Sequence, residues 1–175
     1  MKKKIKTINT PFHKPIVPQS IDPIFLDTIK SGWLTTGPKV ANFESCLKKY
    51  LDAEHVIAVN SCTAALHIAL ASLKLRPGDK FIAPTYTFVS SVEIGEYLGL
   101  IPILIDCESD SYLLDLNMVE DALANDNKIK AIIPVHFAGS PVNMKQIITL
   151  SEKYGLFIIE DAAHALETHS NIGKV

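Results

Sequence analysis

The sequence contains few cysteines, and their spacing argues against two kinds of scaffold. Cys46, Cys62 and Cys107 are an odd number, and no two of them form a C-x-x-C pair. Neither a disulfide framework nor a zinc site fits this pattern, so we expect no metal. Three free thiols suit a reducing compartment, and we expect the protein to be cytoplasmic.

Long hydrophobic runs and a strong net charge are also missing. No run of about 18 apolar residues occurs, and the basic start M-K-K-K-I-K leads into Thr, Asn, Pro and His rather than an apolar signal segment. The formal net charge is only −2, with scattered Lys and Arg residues. We therefore expect no nucleic acid or membrane as a partner, but small molecules or other subunits.

Three motifs of well-known enzyme classes are absent as well. The loop after the first predicted strand lacks G-x-G-x-x-G, and the sequence contains neither G-x-x-x-x-G-K-[ST] nor G-x-S-x-G. The first two absences remove the main support for dinucleotide and P-loop sites. The third makes a Ser/His/Asp hydrolase a weak hypothesis.

The residues that are present predict an α/β fold. Hydrophobic residues make up 47% of the 175, enough for the core of a single domain. From residue 52 onward, short apolar runs alternate with helical periodicity, which is typical of a parallel sheet covered by helices on both faces. Strands are predicted at residues 55–59, 80–84, 101–105, 129–135 and 156–160. Helices are predicted at residues 21–30, 39–51, 63–75, 90–98, 117–124 and 143–154, with Asp115 as the N-cap of the fifth and a turn at 31–38.

In such sheets, ligands bind beyond the carboxyl ends of the strands, so the segments after the strands indicate function. N-S-C-T-A-A-L at residues 60–66 opens a helix whose N-terminus suits a phosphate, although a simple Ser or Thr N-cap explains it too. P-T-Y-T-F at 84–88 places an aromatic ring where it could cover a flat cofactor, or merely fill the core or surface. E-D-A-A-H at 160–164 spaces an acid and an imidazole so that both could address one ligand.

These segments, with G-W-L-T-T-G-P at 32–38 and P-V-H-F-A-G at 134–139, occur in an order that resembles the DegT/DnrJ-type sugar aminotransferases. These are pyridoxal-phosphate (PLP) enzymes of fold-type I. The resemblance implies a three-layer α/β/α sandwich with a mostly parallel sheet. It further implies an N-terminal arm and helices over residues 1–52, followed by the PLP-binding large domain over 53–175, incomplete at its C-terminus.

The resemblance also implies roles for particular residues. Asp161 and His164 are the predicted catalytic residues, with Asp161 paired to the pyridine nitrogen of PLP and His164 beside its phenolic oxygen. Phe88 would stack on the ring. Cys62 stands where a small residue is expected, and a reactive thiol at the helix N-terminus is the alternative interpretation. Thr63 and Ala64, with Ser61 nearby, would hold the phosphate at the helix start, and Cys62 is also counted among the cofactor-binding residues.

The implied reaction moves an amino group, with glutamate as donor, to a keto group on a nucleotide-linked deoxysugar for surface polysaccharide such as lipopolysaccharide O-antigen, in a homodimer. A sugar dehydratase of the same family and a noncatalytic remnant remain as alternatives. The resemblance places the Schiff-base lysine beyond Val175, so Lys174 is not assigned that role. We therefore expect the 175-residue chain to be a fragment that is inactive alone.

Overall fold

The computed structural model describes residue 15 and residues 17–175. The predicted arm at residues 1–14 and residue 16 lie outside this part. None of the helices within it is long and apolar enough to cross a membrane. The helices are α1 Ile21–Ser31, α2 Pro38–Leu51, α3 Cys62–Ser72, α4 Ser90–Tyr97, α5 Leu116–Asn125 and α6 Met144–Tyr154. The strands are β1 Lys80–Pro84, β2 Ile101–Ile105, β3 Ile129–Ile132, β4 Phe157–Ile158, β5 His169–Ser170 and β6 Gly173–Lys174.

Strands β1 to β4 form a parallel sheet in the order β2-β1-β3-β4. Strand β1 pairs with both β2 and β3, so that Ile82 lies opposite Ile103 on one side and Ile132 on the other. A further parallel bridge joins Val135 to Asp161 beyond the β3–β4 ladder. This bridge carries Asp161 to the edge of the sheet where the strands end.

Helices cover both faces of the sheet. Neighbouring strand residues point to opposite sides, and apolar side chains on both sides are buried under helices. On one face, Ile82 packs in a buried cluster with Val119 of α5 and Ile147 of α6. On the other face, Phe81 packs with Leu70 of α3 and with residues of α4. The three-layer α/β/α arrangement and the mostly parallel sheet predicted from the sequence are confirmed.

The helix boundaries follow from local capping. The predicted N-cap Asp115 is confirmed, since its carboxylate accepts hydrogen bonds from the backbone N–H of Asn117 at 2.9 Å and of Met118 at 3.3 Å. Helix α6 ends at Gly155, whose φ of 69° is the left-handed conformation that glycine adopts without strain.

The predicted strand at residues 55–59 is wrong. In place of a strand partner, the backbone N–H of Ala58 donates to the Glu44 carboxylate at 2.8 Å, and Ile57 is 78% exposed. An apolar run predicts a strand only where a neighbouring strand supplies ladder hydrogen bonds.

Two other strands were predicted too long. Strand β3 ends at Ile132 rather than at residue 135. Strand β4 covers only Phe157–Ile158. It starts after Leu156 because that residue is bound to the end of α6: its N–H donates to the carbonyl of Ser151 at 3.0 Å and its carbonyl accepts from Ser151 Oγ at 2.7 Å. The small β5–β6 hairpin was not predicted.

Helix α4 lies unusually close to β1. A Cβ placed on Gly95 would lie 2.1 Å from Cε1 of Phe81, whose side chain is fully buried. Only glycine therefore lets α4 reach the position from which its first turn meets the end of the sheet.

The first prediction concerns this contact. Overpacking costs about 1–3 kcal/mol. Because the overlap is large, we expect the cost of Gly95→Ala to exceed the roughly 1 kcal/mol by which alanine stabilises a helix relative to glycine. We therefore expect Gly95→Ala to lower the free energy of unfolding in a urea titration. In the Phe81→Leu background, the same change should cost less. A Gly95→Ala protein as stable as the unsubstituted chain would show that the contact is loose.

Candidate active site

A cleft of about 610 Å³ opens at the edge where the parallel strands end. Its wall is built from the start of α3 and from the segments that follow β1, β3 and β4, as expected for an open α/β sheet. Five of the seven predicted site residues line it, namely Cys62, Thr63, Phe88, Asp161 and His164. The other lining residues are Tyr86, Thr87, Ser90, Val135, His136, Phe137 and Ala163.

Asp161 is the buried acid of the cleft, with 4% of its surface exposed. Its backbone is fixed on both sides: its N–H donates to the carbonyl of Pro134 at 2.9 Å, and its carbonyl accepts from the N–H of His136 at 3.1 Å. Its carboxylate accepts from Ser91 Oγ at 2.7 Å and from the N–H of Ala163 at 3.2 Å. A buried carboxylate needs such donors, and it retains lone pairs that can receive a cation from the cleft.

The N-terminus of α3 forms a second polar part of the site. Ser61 and Ala64, the two predicted residues that do not line the cleft, form the cap: Ser61 Oγ accepts from the N–H of Ala64 at 3.1 Å. The capping interpretation of Ser61 is thus confirmed. Cys62 and Thr63 begin the helix beside the cleft, where the first backbone N–H groups of a helix have no partner within it.

Aromatic rings form the apolar part of the wall. Phe88 is 71% exposed, so it is a surface ring at the cleft and does not belong to the core. Tyr86 and Phe137 lie 4.4 Å apart between ring centroids with their planes tilted by 47°. Phe137 also meets the ring of His164 edge-on at 6.1 Å. Such walls exclude water from one side of a bound flat molecule.

The two histidines of the cleft are held differently. His164 Nδ1 accepts from the backbone N–H of Ala138 at 3.3 Å, which leaves its other nitrogen available. His136 is fully held: Nδ1 accepts from the N–H of Val142 at 3.1 Å, and Nε2 lies 2.9 Å from a carboxylate oxygen of Glu160. Because Nδ1 accepts, Nε2 carries the proton and donates to Glu160. His136 therefore links the segments that follow β3 and β4.

Cys62 does not have the environment of a reactive thiol. Its Sγ lies 3.8 Å from Asp161 Oδ1, and burial together with the charge of Asp161 and this contact raises the pKa of Cys62. The helix N-terminus alone would lower the pKa, so the neighbouring carboxylate and the loss of solvent prevail. The raised pKa argues against the alternative of a reactive thiol at Cys62.

The sequence did not predict the hydroxyl hydrogen bonds that hold the carboxylate of Asp161. Ser91 lies in α4, 70 residues before Asp161, and donates to it from a fully buried position. Thr87 lies behind Ser91, with the two hydroxyl oxygens 2.8 Å apart. The only signal in the sequence is that Thr87 belongs to the P-T-Y-T-F segment and that Ser91 follows it by three residues.

The residues present suit PLP. A buried carboxylate matches the pyridine nitrogen, a helix N-terminus matches the phosphate, and an exposed aromatic ring matches a flat face. Among the described residues that line the cleft, none is a lysine. The side chain of Lys174, in β6, packs against α2 instead: its Nζ donates to the carbonyl of Tyr50 at 2.7 Å and lies 3.8 Å from the centre of the Tyr50 ring.

Comparisons with known proteins agree with this geometry. The model of the DegT/DnrJ/EryC1/StrS aminotransferase family matches residues 18–175. Over 156 residues, 89% of the chain, an uncharacterized protein of Methanocaldococcus jannaschii is 37% identical. Over the same share, the UDP-4-amino-4-deoxy-L-arabinose–oxoglutarate aminotransferase of Shewanella sediminis is 36% identical. The chain spans 40% of the length of each of these two relatives.

The chain is also similar to a solved structure of a sugar aminotransferase. The proposed sugar aminotransferase Spr1654 of Streptococcus pneumoniae, in its PLP form, superposes with a TM-score of 0.84 at 31% identity. The superposition covers 91% of this chain and 44% of that one.

The raised pKa of Cys62 leads to a prediction in the cofactor-free protein. Asp161→Asn removes the carboxylate charge, so the pKa of Cys62 should fall while the effect of burial remains. Because a lower pKa also weakens the thiolate as a nucleophile, we expect iodoacetamide alkylation of Cys62 to quicken by only about two- to fivefold. Mass spectrometry of the digested protein measures it, with Cys46 as internal reference. Equal rates in both proteins would mean that Asp161 does not influence the thiol.

Proposed function

Because the chain belongs to the DegT/DnrJ/EryC1/StrS aminotransferase family, we propose that its cleft binds PLP for transfer of an amino group to a sugar. The match of the family model confirms the family predicted from five sequence segments, and the PLP form of Spr1654 agrees with the predicted cofactor. The observation that carries the proposal is the buried carboxylate of Asp161 in the same cleft as the start of α3 and the ring of Phe88.

PLP withdraws electrons from the reacting carbon, and a protonated ring nitrogen strengthens this effect. In our proposal Asp161 holds the proton at that nitrogen, since an opposite charge at close range stabilises a cation. Burial makes the pairing stronger than it would be in water. Phe88 would stack on one face of the ring, and the remaining nitrogen of His164 would lie beside the phenolic oxygen.

The start of α3 would hold the phosphate. Free backbone N–H groups and the positive end of the helix dipole favour an anion there. Ser61 Oγ accepts from the N–H of Ala64, and among the described residues its hydroxyl hydrogen makes only a 3.5 Å contact with Asn60. This hydrogen is available to a phosphate oxygen, so the same residue can cap the helix and bind the ligand.

We propose glutamate as amino donor and a nucleotide-linked keto-deoxysugar as acceptor, for surface polysaccharide such as lipopolysaccharide O-antigen. The name of the Shewanella relative supports both, because it joins a UDP-linked amino sugar with oxoglutarate, the keto acid of glutamate. We further propose that the enzyme works in the cytoplasm as a homodimer. Exposed apolar side chains on α1, α2 and the turn between them support a subunit contact, among them Phe25, Trp33, Leu34 and Phe43.

Pyridoxamine 5'-phosphate (PMP) tests the cofactor assignment, because it carries an amine and needs no lysine for attachment. We expect Asp161→Asn to raise the Kd for PMP in calorimetry by about tenfold or more, the size expected for a lost hydrogen bond to a charged group. The matched change Asp121→Asn, at an exposed position of α5 away from the cleft, should leave the Kd unchanged. If PMP binds the unsubstituted chain no better than the Asp161→Asn chain, the assignment is wrong.

Ser61→Asp separates capping from phosphate binding. Aspartate caps as well as serine, so we expect the melting temperature to be retained. Its negative charge opposes the phosphate, and we expect the Kd for PMP to rise by about tenfold or more, while binding of pyridoxamine, which lacks the phosphate, stays the same. A parallel loss of both ligands would indicate that Ser61 acts only through the shape of the helix start.

A further inference from the structure

A chain of two hydroxyl groups ends on the carboxylate of Asp161. Thr87 Oγ1 lies 2.8 Å from Ser91 Oγ, and Ser91 Oγ lies 2.7 Å from Asp161 Oδ2. An ionised carboxylate only accepts hydrogen bonds, so the hydrogen of Ser91 points to Asp161. The oxygen of Ser91 is then free to accept, and Thr87 donates to it. The direction of both bonds is fixed by the charge of Asp161.

The two hydroxyls occupy different environments. Ser91 is fully buried and Thr87 is half-buried at the cleft. Hydrogen bonds to a charged acceptor are about twice as strong as neutral ones, and in a dry site they orient the acceptor. The position of Ser91 is itself fixed, because α4 is held against β1 through Gly95.

The other carboxylate oxygen has a different set of contacts. Oδ1 accepts from the N–H of Ala163 at 3.2 Å and lies 3.8 Å from Sγ of Cys62. The bond from Ala163 comes from the next residue but one and follows the backbone of Asp161. Ser91 is therefore the one hydroxyl donor, among the described residues, that fixes the carboxylate from a separate helix.

We propose that Ser91, supported by Thr87, is a positioning residue that turns the carboxylate of Asp161 towards the cofactor nitrogen and keeps it there. This inference rests on the proposed function of the cleft. Neither hydroxyl needs to touch the cofactor nitrogen. Their effect is that the ring nitrogen stays protonated, because a carboxylate free to rotate loses its alignment with the nitrogen.

The experiment uses PMP labelled with ¹⁵N in the ring, bound to the 175-residue chain near neutral pH. The ¹⁵N chemical shift reports directly whether the ring nitrogen carries a proton. We expect the protonated signal in the unsubstituted chain. In Ser91→Ala the signal should move towards that of neutral pyridine, and the Kd for PMP should rise about fivefold, as for one lost hydrogen bond.

Thr87→Val provides a second variant, because valine has nearly the shape of threonine and the site is only half-buried. It should move the signal in the same direction by a smaller amount. Ser151→Ala is the matched control: it removes a hydroxyl bond of 2.7 Å to the carbonyl of Leu156, away from the cleft. It should reduce stability and leave both the ¹⁵N signal and the Kd unchanged.

The outcomes separate the two proposals. If the unsubstituted chain does not bind PMP or does not protonate its ring, the cofactor assignment is wrong and this inference falls with it. If the unsubstituted chain gives the protonated signal and folded Ser91→Ala gives the same one, the cofactor assignment stands and the inference alone is overturned. Should Ser91→Ala not fold, an unchanged signal in Thr87→Val overturns it.

Discussion

The rest of the site depends on keeping one carboxylate charged inside the protein. Moving an ion out of water is costly unless donors surround it, and Asp161 receives them from two directions: its own backbone turn and helix α4. The β3–β4 pairing fixes where the side chain starts, and α4 fixes where it points. The close packing of Gly95 on Phe81 thus affects the site, although neither residue lies in the cleft.

Sequence patterns predicted most of this architecture because the relevant signals are local. The helix cap at Asp115 and the strands at 80–84 and 101–105 are read from neighbouring residues, and the structure confirms each of them. The strand at 55–59 fails for the opposite reason. Its residues are apolar enough, but a strand needs a partner, and the nearest acceptor for Ala58 is a side chain of α2.

The site shows the same division between local and distant information. Residues placed directly after strands, such as Phe88 and Asp161, could be predicted to share one edge of the sheet, and they do. Ser91 could not be found in this way, since only the packed helix reveals which of its side chains reaches a residue 70 positions away. The carboxylate beside Cys62 could not be predicted either, because the helix start is visible in the sequence and the nearby Asp161 is not.

Three of the four segments that form the cleft are far apart along the chain: the start of α3, the segment leading into α4, and the turn after β4. A molecule that touches all three binds only when all three are docked, so its binding energy is added to the stability of the folded state. If the cleft binds PLP as we propose, ligand binding and the docking of these segments are coupled, and the concentration of the cofactor affects the fraction of protein that is folded.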